Sequence, residues 1–174
     1  TIANNASDLR DICIAYDTPH SRLVFGYTYY NGSNYFGALK VATVSQTAND
    51  NTMTVGSETN MVTSSTTCVE TSICHNPSDE KMYITFRDQS SGIPENGRLS
   101  GTVGTVADSG NSITMSGSIT AAASGDVQKS SIRTKLIYNP NITRVCLFWT
   151  DVGGVNNTSK AGTITSNGSN VFSF

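Results

Sequence analysis

The amino-acid sequence predicts an all-β protein made of three tandem four-stranded antiparallel units, arranged as propeller-like blades. Two observations lead to this prediction, the composition and an internal repeat. Of the 174 residues, 23 are Thr, 23 are Ser and 16 are Asn, whereas charged residues make up only 14%. Thr, Val, Ile, Tyr and Phe favour strands, and Asn, Ser and Gly favour turns. The composition therefore indicates short strands joined by many turns.

The internal repeat is visible in three aligned segments, CIAYDTPHSRLVFGYTYY, SICHNPSDEKMYITFRD and KLIYNPNITRVCLFWTD. Each segment has an alternating strand, a turn with Asp or Asn near Pro, and a second strand that ends near an aromatic residue. The turn residues are Asp17, Asn76 and Asn139, so successive units are 59 and 63 residues apart. Period-2 alternation bounded by turn residues predicts a β-hairpin in each segment.

A third and a fourth strand are predicted after each hairpin. The third strands are ALKVATV, RLSGTVGTV and SKAGTIT, in which a triplet of small residue, Thr and aliphatic residue recurs in register. The fourth strands are NTMTVG, NSITMSG and NVFSF. Repeats of four strands are typical of propeller blades. A β-sandwich, in which the similarity of the segments would be coincidental, is the alternative.

The repeat divides a single domain, residues 1–174, into units at about 11–67, 68–130 and 131–174. The last unit is short, and we expect residues 1–10 or a neighbouring chain to complete it. Repeat units bury their faces against neighbouring units, and three blades are fewer than the 4–8 of a closed propeller. We therefore expect self-association, or tandem copies of the same unit.

Four cysteines, Cys13, Cys68, Cys74 and Cys146, are an even number in a chain rich in Asn and Thr. Such a count predicts two disulfides and an oxidising compartment. Four cysteines allow three pairings. From their positions in the repeat we predict Cys13–Cys68 and Cys74–Cys146, which would clamp neighbouring units together.

Six N-x-[ST] sequences are candidate glycosylation sites, and together with the cysteines they favour an extracellular, cell-surface or virion-surface location. They are Asn5, Asn31, Asn141, Asn156, Asn157 and Asn167. The net charge of −2, without a basic stripe, argues against a nucleic-acid partner. No apolar run approaches the ~20 residues of a membrane helix, so no membrane span is predicted.

The residues that could carry catalysis are few. The two histidines, His20 and His75, fall near the predicted hairpin turns, where we expect them to be solvated. No nucleophile or metal motif is present, and we expect neither an enzyme nor a cofactor. Asp88 and Asp151 follow two second strands, and we expect their carboxylates to accept hydrogen bonds from the next turn.

An aromatic loop, YTYYNGSNYFG, distinguishes the first unit from the others. Tyr29, Tyr30, Tyr35 and Phe36 form a possible ligand or interface loop, because exposed aromatic rings stack on sugars and on protein partners. In the alternative interpretation, Tyr27 and Phe36 belong to the core and the other rings pack along the sheet edge.

The second unit carries a resemblance to known proteins. Its Asn76 turn, the Arg87–Asp88 pair and the Gly104–Val106 strand resemble uncharacterised β-propeller-type repeats that occur in tandem in phage tail-fibre-like and bacterial surface proteins. The first unit departs from that pattern, with Tyr29 where the others have Asp. The resemblance implies the fold and a surface location, and it implies no ligand.

Two functions follow from these observations as expectations. The first is a structural repeat subunit of an extracellular fibre, filament or surface appendage that is glycosylated. The alternative is a viral or bacterial attachment module that binds cell-surface glycans through its loops.

Overall fold

A computed structural model describes residues 8–47, 50–62, 67–90, 97–116, 120–121, 133–151, 158–166 and 172–173. The strands are β1 (Leu9–Asp17), β2 (Arg22–Tyr30), β3 (Tyr35–Thr47), β4 (Asp50–Val55), β5 (Thr59–Asn60), β6 (Cys68–Asn76), β7 (Lys81–Asp88), β8 (Arg98–Val106), β9 (Ile113–Met115), β10 (Thr120–Ala121), β11 (Thr134–Asn139), β12 (Arg144–Asp151), β13 (Thr158–Ser166) and β14 (Phe172–Ser173).

The strands form three antiparallel sheets, so the all-β prediction is confirmed. The first sheet has the order β1-β2-β3-β4, with β5 also paired to β3. The second has the order β10-β8-β7-β6, with β9 also paired to β8, and the third has the order β11-β12-β13-β14. We call these sheets unit 1, unit 2 and unit 3. In units 1 and 2 the outer edge is divided between two short strands, which the sequence pattern did not predict.

The three hairpins turn in the same way. The residue just before the second strand has a left-handed backbone in each unit, with φ of 52° at Ser21, 55° at Glu80 and 51° at Thr143. These residues are separated by the same 59 and 63 positions as the turn residues of the sequence repeat. Non-glycine residues rarely adopt positive φ, so this recurrence makes the three turns structurally equivalent.

The Asp or Asn that precedes each turn has a definite role in two of the units. The side-chain oxygen of Asn76 accepts a hydrogen bond from the backbone N–H of Ser78 at 3.1 Å, and that of Asn139 accepts one from Asn141 at 3.0 Å. Such Asx turns replace a backbone hydrogen bond that the turn lacks. The equivalent Asp17 of unit 1 binds histidines instead.

The inner strands β1 and β6 share a bulge. The register shifts between Arg10 and Cys13 in β1, and between Val69 and Ser72 in β6. A bulge places one extra residue in a strand and strengthens its twist. Before the bulge, Leu9 and Arg10 pair with β2 of unit 1. Leu9 and Arg10 therefore extend the first sheet, and residues 1–7, the rest of the segment expected to complete the last unit, lie outside the described residues.

The units pack face to face, and two apolar layers lie between the three sheets. The first layer joins units 1 and 2 and contains Val24, Leu39, Val41, Met61, Cys68, Ile73, Met82, Ile84, Phe86, Val106 and Ile113. The second joins units 2 and 3 and contains Tyr83, Leu99, Val103, Val145, Leu147 and Ile164. Complete burial of one such side chain contributes roughly 1.5–3 kcal/mol, so the contacts between units are a main source of stability.

Candidate functional site

Each unit has two different faces, because successive side chains of a strand point to opposite sides of the sheet. In unit 2, one face meets unit 1 and carries Ile73, Met82, Ile84, Phe86 and Val106. We call this side of any unit its front face. The opposite side of unit 2 carries Tyr83, Leu99 and Val103 and meets unit 3. We call that side the back face.

The same pairing of faces occurs at both boundaries within the chain. Unit 1 presents Val24, Leu39 and Val41 from its back face to the front face of unit 2. Unit 3 presents Val145 and Leu147 from its front face to the back face of unit 2. By the repeat spacing, Val145 and Leu147 are the equivalents of Met82 and Ile84. Front against back is therefore the one arrangement that the described units use.

Polar contacts mark the same edge of both boundaries. At the first, Nε2 of His75 lies 3.1 Å from Oδ1 of Asp17, and both side chains are nearly inaccessible. Neither of these two atoms makes a hydrogen bond, so the two side chains are in close polar contact without one. At the second boundary the equivalent residue is Tyr138, whose hydroxyl lies 3.0 Å from Oγ of Ser78. In each case a front-face residue reaches the hairpin turn of the preceding unit.

Asp17 is shared between two histidines, which corrects the prediction that both histidines are solvated turn residues. His20 Nδ1 lies 2.7 Å from Asp17 Oδ2, and His20 Nε2 lies 3.1 Å from Oδ1 of Asp108 in unit 2. The hydrogen bond to Asp17 raises the pKa of His20 above its usual 6.5. Burial lowers the pKa of His75, although Asp17, Asp79 and Glu80 oppose that shift. The sequence pattern gave no sign that these side chains meet, because the contact crosses a unit boundary.

A second polar link is made by Asn111 of unit 2. Its Nδ2 donates to the backbone oxygen of Thr54 at 2.9 Å, and its Oδ1 accepts from Thr43 at 2.6 Å. Gly56 lies directly against the backbone of Asn111, and a Cβ at Gly56 would overlap the Asn111 carbonyl oxygen. The contact therefore requires glycine at position 56, because any side chain there would overlap Asn111.

A polar cleft of about 340 Å³ lies where the inner strands begin, and its lining includes Asp11, Glu70 and Arg133. These three residues occupy equivalent positions of units 1, 2 and 3 by the same spacing. Asp11 Oδ2 accepts a hydrogen bond from the backbone N–H of Glu70 at 2.6 Å, and burial raises the pKa of Glu70. The cleft carries both signs of charge, and its contacts tie the inner strands of the three units together.

The aromatic loop of unit 1 forms a compact cluster. The rings of Tyr30 and Tyr35 are 5.1 Å apart, and the Arg10 guanidinium lies 4.8 Å above the ring of Tyr35. The Tyr35 hydroxyl donates to Asp8 at 2.9 Å, and Asp8 pairs with Arg10 at 2.6 Å. Four side chains thus join into one half-exposed patch.

The other two aromatic candidates lie apart from this patch. Tyr29 packs with its ring 6.1 Å from that of Phe36 and 6.4 Å from that of Tyr27, which is completely buried. The expectation that Tyr27 belongs to the core is confirmed, whereas Phe36 is only half-buried.

Two of the six candidate glycosylation sites lie in the described part of the chain. Asn31 and Asn141 are both exposed, each next to a turn of a hairpin. The Oδ1 atom of Asn31 accepts hydrogen bonds from the backbone N–H groups of Ser33 and Asn34 at 3.0 Å. Asn5, Asn156, Asn157 and Asn167 fall outside the described residues.

Of the two carboxylates that follow second strands, Asp88 behaves as expected. Its Oδ1 accepts hydrogen bonds from the backbone N–H of Ser90 at 2.9 Å and from the Ser90 hydroxyl at 2.6 Å. Its Oδ2 lies 3.5 Å from Arg98. Asp88 thus stabilises the turn after β7, while the side chain of Asp151 falls outside the described residues.

All four cysteines are free thiols in this structure, so the predicted disulfides are absent. Cys13 and Cys68 both face the layer between units 1 and 2, but Met61 lies between them. The Met61 Cε packs over Gly26 beside Cys13, and its Sδ packs over Gly37 beside Cys68. Burial raises the pKa of Cys13 to about 11 and that of Cys68 to about 12.

The pairing Cys74–Cys146 fails because of strand alternation. Cys74 packs into the layer between units 2 and 3. Val145 and Leu147 are buried in the same layer, so Cys146 between them points to the opposite face of unit 3. The prediction took account of position in the repeat but not of which face each thiol occupies.

Three results are negative: those for a metal site and for a membrane-spanning helix in the described part of the chain, and that for similar proteins. Among the described residues, no group of three or more His, Cys, Asp or Glu side chains is placed to hold a metal ion. Within the same part of the chain, no helix has the length and apolar character needed to cross a bilayer. Comparison of the chain with protein-family models, curated proteins and solved structures gave no match.

Proposed function

We propose that this chain is a structural repeat subunit of an extracellular fibre, filament or surface appendage, and that its units are propeller-like blades. The observation that carries the proposal is the repeated use of one pair of faces. Unit 2 covers the back face of unit 1, and unit 3 covers the back face of unit 2. An arrangement that adds units through one repeated contact suits a protein whose role is to extend or to build.

The proposed surface location rests on fewer observations than the assembly does. Free thiols remove the cysteine argument for an oxidising compartment. The exposed Asn31 site and the resemblance to repeats of fibre-like and surface proteins still favour an extracellular setting. The polar, charge-poor composition is compatible with it.

Negative-stain electron microscopy of the purified chain at increasing concentration tests the structural role. Filaments with a regular axial repeat would support it. Particles that remain single and compact at every concentration would contradict it. Intact mass of the native material, measured alongside, shows whether the subunit carries glycans.

A second candidate function, attachment to cell-surface glycans, is favoured by the patch of Asp8, Arg10, Tyr30 and Tyr35. Its tyrosine rings and charged groups offer stacking and hydrogen bonding to a sugar. A glycan array probed with the wild-type chain and with Tyr30→Ala tests this function directly. Binding that Tyr30→Ala abolishes would establish it, and the absence of binding to any glycan would exclude this patch.

A further inference from the structure

We propose that a second copy of this chain covers the front face of unit 1 with the back face of its own unit 3. This inference rests on the proposed role as a repeat subunit, and it names the partner and the two surfaces. The contact would repeat, between chains, the pairing of faces found twice within the chain.

The front face of unit 1 has the residue pattern of a buried face, and it is covered only in part: Phe25 and Tyr27 on this face are buried, whereas Ile14, Tyr16, Val44 and Met53 are exposed. Ile14 and Val44 are 56% and 44% exposed. Their equivalents in unit 2, Ile73 and Val106, are 6% and 2% exposed because unit 1 covers them.

Two more pairs show the same contrast. Tyr16 is 52% exposed and Met53 is 46% exposed, whereas their equivalents His75 and Ile113 are 6% and 4% exposed. The equivalence of Met53 and Ile113 follows from the pairing of Met53 with Val44 and of Ile113 with Val106. These exposed residues of unit 1 therefore occupy the positions that unit 2 buries on its front face, against unit 1.

The back face of unit 3 is exposed in the same way. Ile137 and Phe148 are 58% and 49% exposed, and Cys146 on the same face pairs with Ile137 and lies two residues before Phe148. The equivalent positions of unit 2 are Cys74, Thr85 and Tyr83, and unit 3 packs against that side of the sheet. Thr85 and Tyr83 are completely buried.

The two end faces carry most of the exposed large hydrophobic side chains in the described part of the chain. Nine large hydrophobic residues are exposed in the described part of the chain, and seven of them lie on these two faces: Ile12, Ile14, Tyr16, Val44, Met53, Ile137 and Phe148. Contiguous apolar surface on a soluble protein marks an interaction site.

The nature of the two faces selects the partner. The chain shows front against back at both of its boundaries, and front against front at neither. One copy has exposed apolar residues on the front face of unit 1 and on the back face of unit 3, so a second copy supplies a matching surface at either end. Such head-to-tail contacts are heterologous, and they produce closed rings or open filaments.

A polar contact fixes the register of the two copies. His75 of unit 2 reaches the turn of unit 1, and Tyr138 of unit 3 reaches Ser78 in the turn of unit 2. Tyr16 is the equivalent front-face residue of unit 1, and Asn141 is the equivalent of Ser78 in unit 3. Tyr16 of one copy therefore meets Asn141 of the second copy, and a glycan on Asn141 would block that contact.

Two substitutions test the proposal by mixing. Ile14→Glu places a charge on the front face, and Phe148→Glu places one on the back face. Each variant alone lacks one half of every possible contact, so we expect each to have the mass of a single chain by light scattering. An equimolar mixture still holds one intact front face and one intact back face. We expect it to form a pair of chains that grows no further.

The matched control is Ser33→Glu, because Ser33 is exposed in the loop between β2 and β3, whose residues take no part in the proposed contact. It should assemble like the wild type. Circular dichroism and the unfolding midpoint of each variant show whether the monomer is still folded. A mixture that stays monomeric while the wild type assembles would overturn the proposal, and so would a wild type that is monomeric at all concentrations.

The form of the assembly separates this inference from the proposed function. If the wild type closes into a discrete ring of few copies and the mixture forms pairs, the faces are correctly assigned and the fibre role fails. If the wild type forms filaments that Ile14→Glu and Phe148→Glu leave intact, the structural role stands and the assignment of faces fails.

Discussion

Nε2 of His75 lies 3.1 Å from Oδ1 of Asp17, across the boundary between units 1 and 2, and both side chains are nearly inaccessible to solvent. The other carboxylate oxygen of Asp17 lies 2.7 Å from Nδ1 of His20. One buried carboxylate thus contacts two histidines. The pKa of His20 is raised above its usual value, and the pKa of His75 is lowered below it. The stability of this boundary should therefore depend on pH in two opposite ways.

The contribution of His20 to the free energy of unfolding should be lost at higher pH. The hydrogen bond to Asp17 raises the pKa of His20 in the folded state above its usual 6.5. The folded state therefore holds the proton more tightly, and its stabilising effect is complete below pH 6.5 and declines as the pH rises through the raised pKa. We expect His20→Gln to remove this decline from urea unfolding curves measured between pH 6 and 9. An unchanged decline would show that His20 is not its source.

The contribution of His75 to the free energy of unfolding should be lost at lower pH. Burial lowers the pKa of His75 below 6.5, so the unfolded chain binds the proton more readily. Its effect on stability is complete above pH 6.5 and is lost as the pH falls toward the lowered pKa. We measure the free energy of unfolding of His75→Gln in urea over a range of pH. We expect its dependence on pH to become weaker below pH 6.5 and to stay unchanged above pH 6.5. A weaker dependence above pH 6.5 instead would contradict the assignment.

Equivalent isoleucines in units 1 and 2 should differ sharply in their effect on folding. Ile73→Ala removes a side chain buried between two units and should cost about 2–4 kcal/mol of unfolding free energy. Ile14→Ala changes an exposed side chain and should cost less than about 1 kcal/mol. Both are measured by denaturant unfolding in the Phe148→Glu background, which keeps the chain monomeric. Equal costs would mean that the front face of unit 1 is already covered in the monomer.

Gly56→Ala should weaken the boundary between units 1 and 2. The new Cβ would overlap the backbone carbonyl oxygen of Asn111, so one unit must move away from the other. We expect a loss of at least about 2 kcal/mol in unfolding free energy, because backbone cannot yield as a flexible side chain does. Ser57→Ala, at an exposed neighbouring residue, is the control and should be neutral. Wild-type stability in Gly56→Ala would refute this contact.

All four thiols should be free, and the three with raised pKa values should react slowly. All four cysteines lack disulfides, and burial raises the pKa of Cys13 and Cys74 to about 11 and that of Cys68 to about 12. Titration with a thiol reagent in denaturant, without reductant, should find four thiols. In the folded protein at pH 8, Cys13, Cys68 and Cys74 should react slowly, because little of their thiolate form is present. A count of fewer than four thiols would show that a disulfide is present.

Much of the fold is visible in the sequence, because strand pairing in this chain is local. The turn residues Asp17, Asn76 and Asn139 and the Gly104–Val106 triplet mark hairpins whose partners are neighbours in sequence. Alternation then fixes which residues share a face. The divided outer edges of units 1 and 2 were not predictable, since the short strands β5 and β10 carry only two residues each.

The contacts between units were harder to predict, because they join residues far apart in sequence. Nothing in the pattern around His75 shows that it meets Asp17. The disulfide prediction was wrong for a related reason. Position in the repeat places Cys74 and Cys146 in adjacent units, but only the alternation of Val145 and Leu147 shows that Cys146 faces away. Had the faces been assigned first, that pairing would have been rejected from sequence alone.

The most direct test of the central claim is the mass of the unmodified wild-type chain, measured by sedimentation from nanomolar to high micromolar concentration. Front-to-back assembly predicts a mass that rises in whole multiples of one chain as the concentration increases. A mass of one chain throughout that range would contradict the claim, because the exposed apolar residues of the two end faces would then lack a partner.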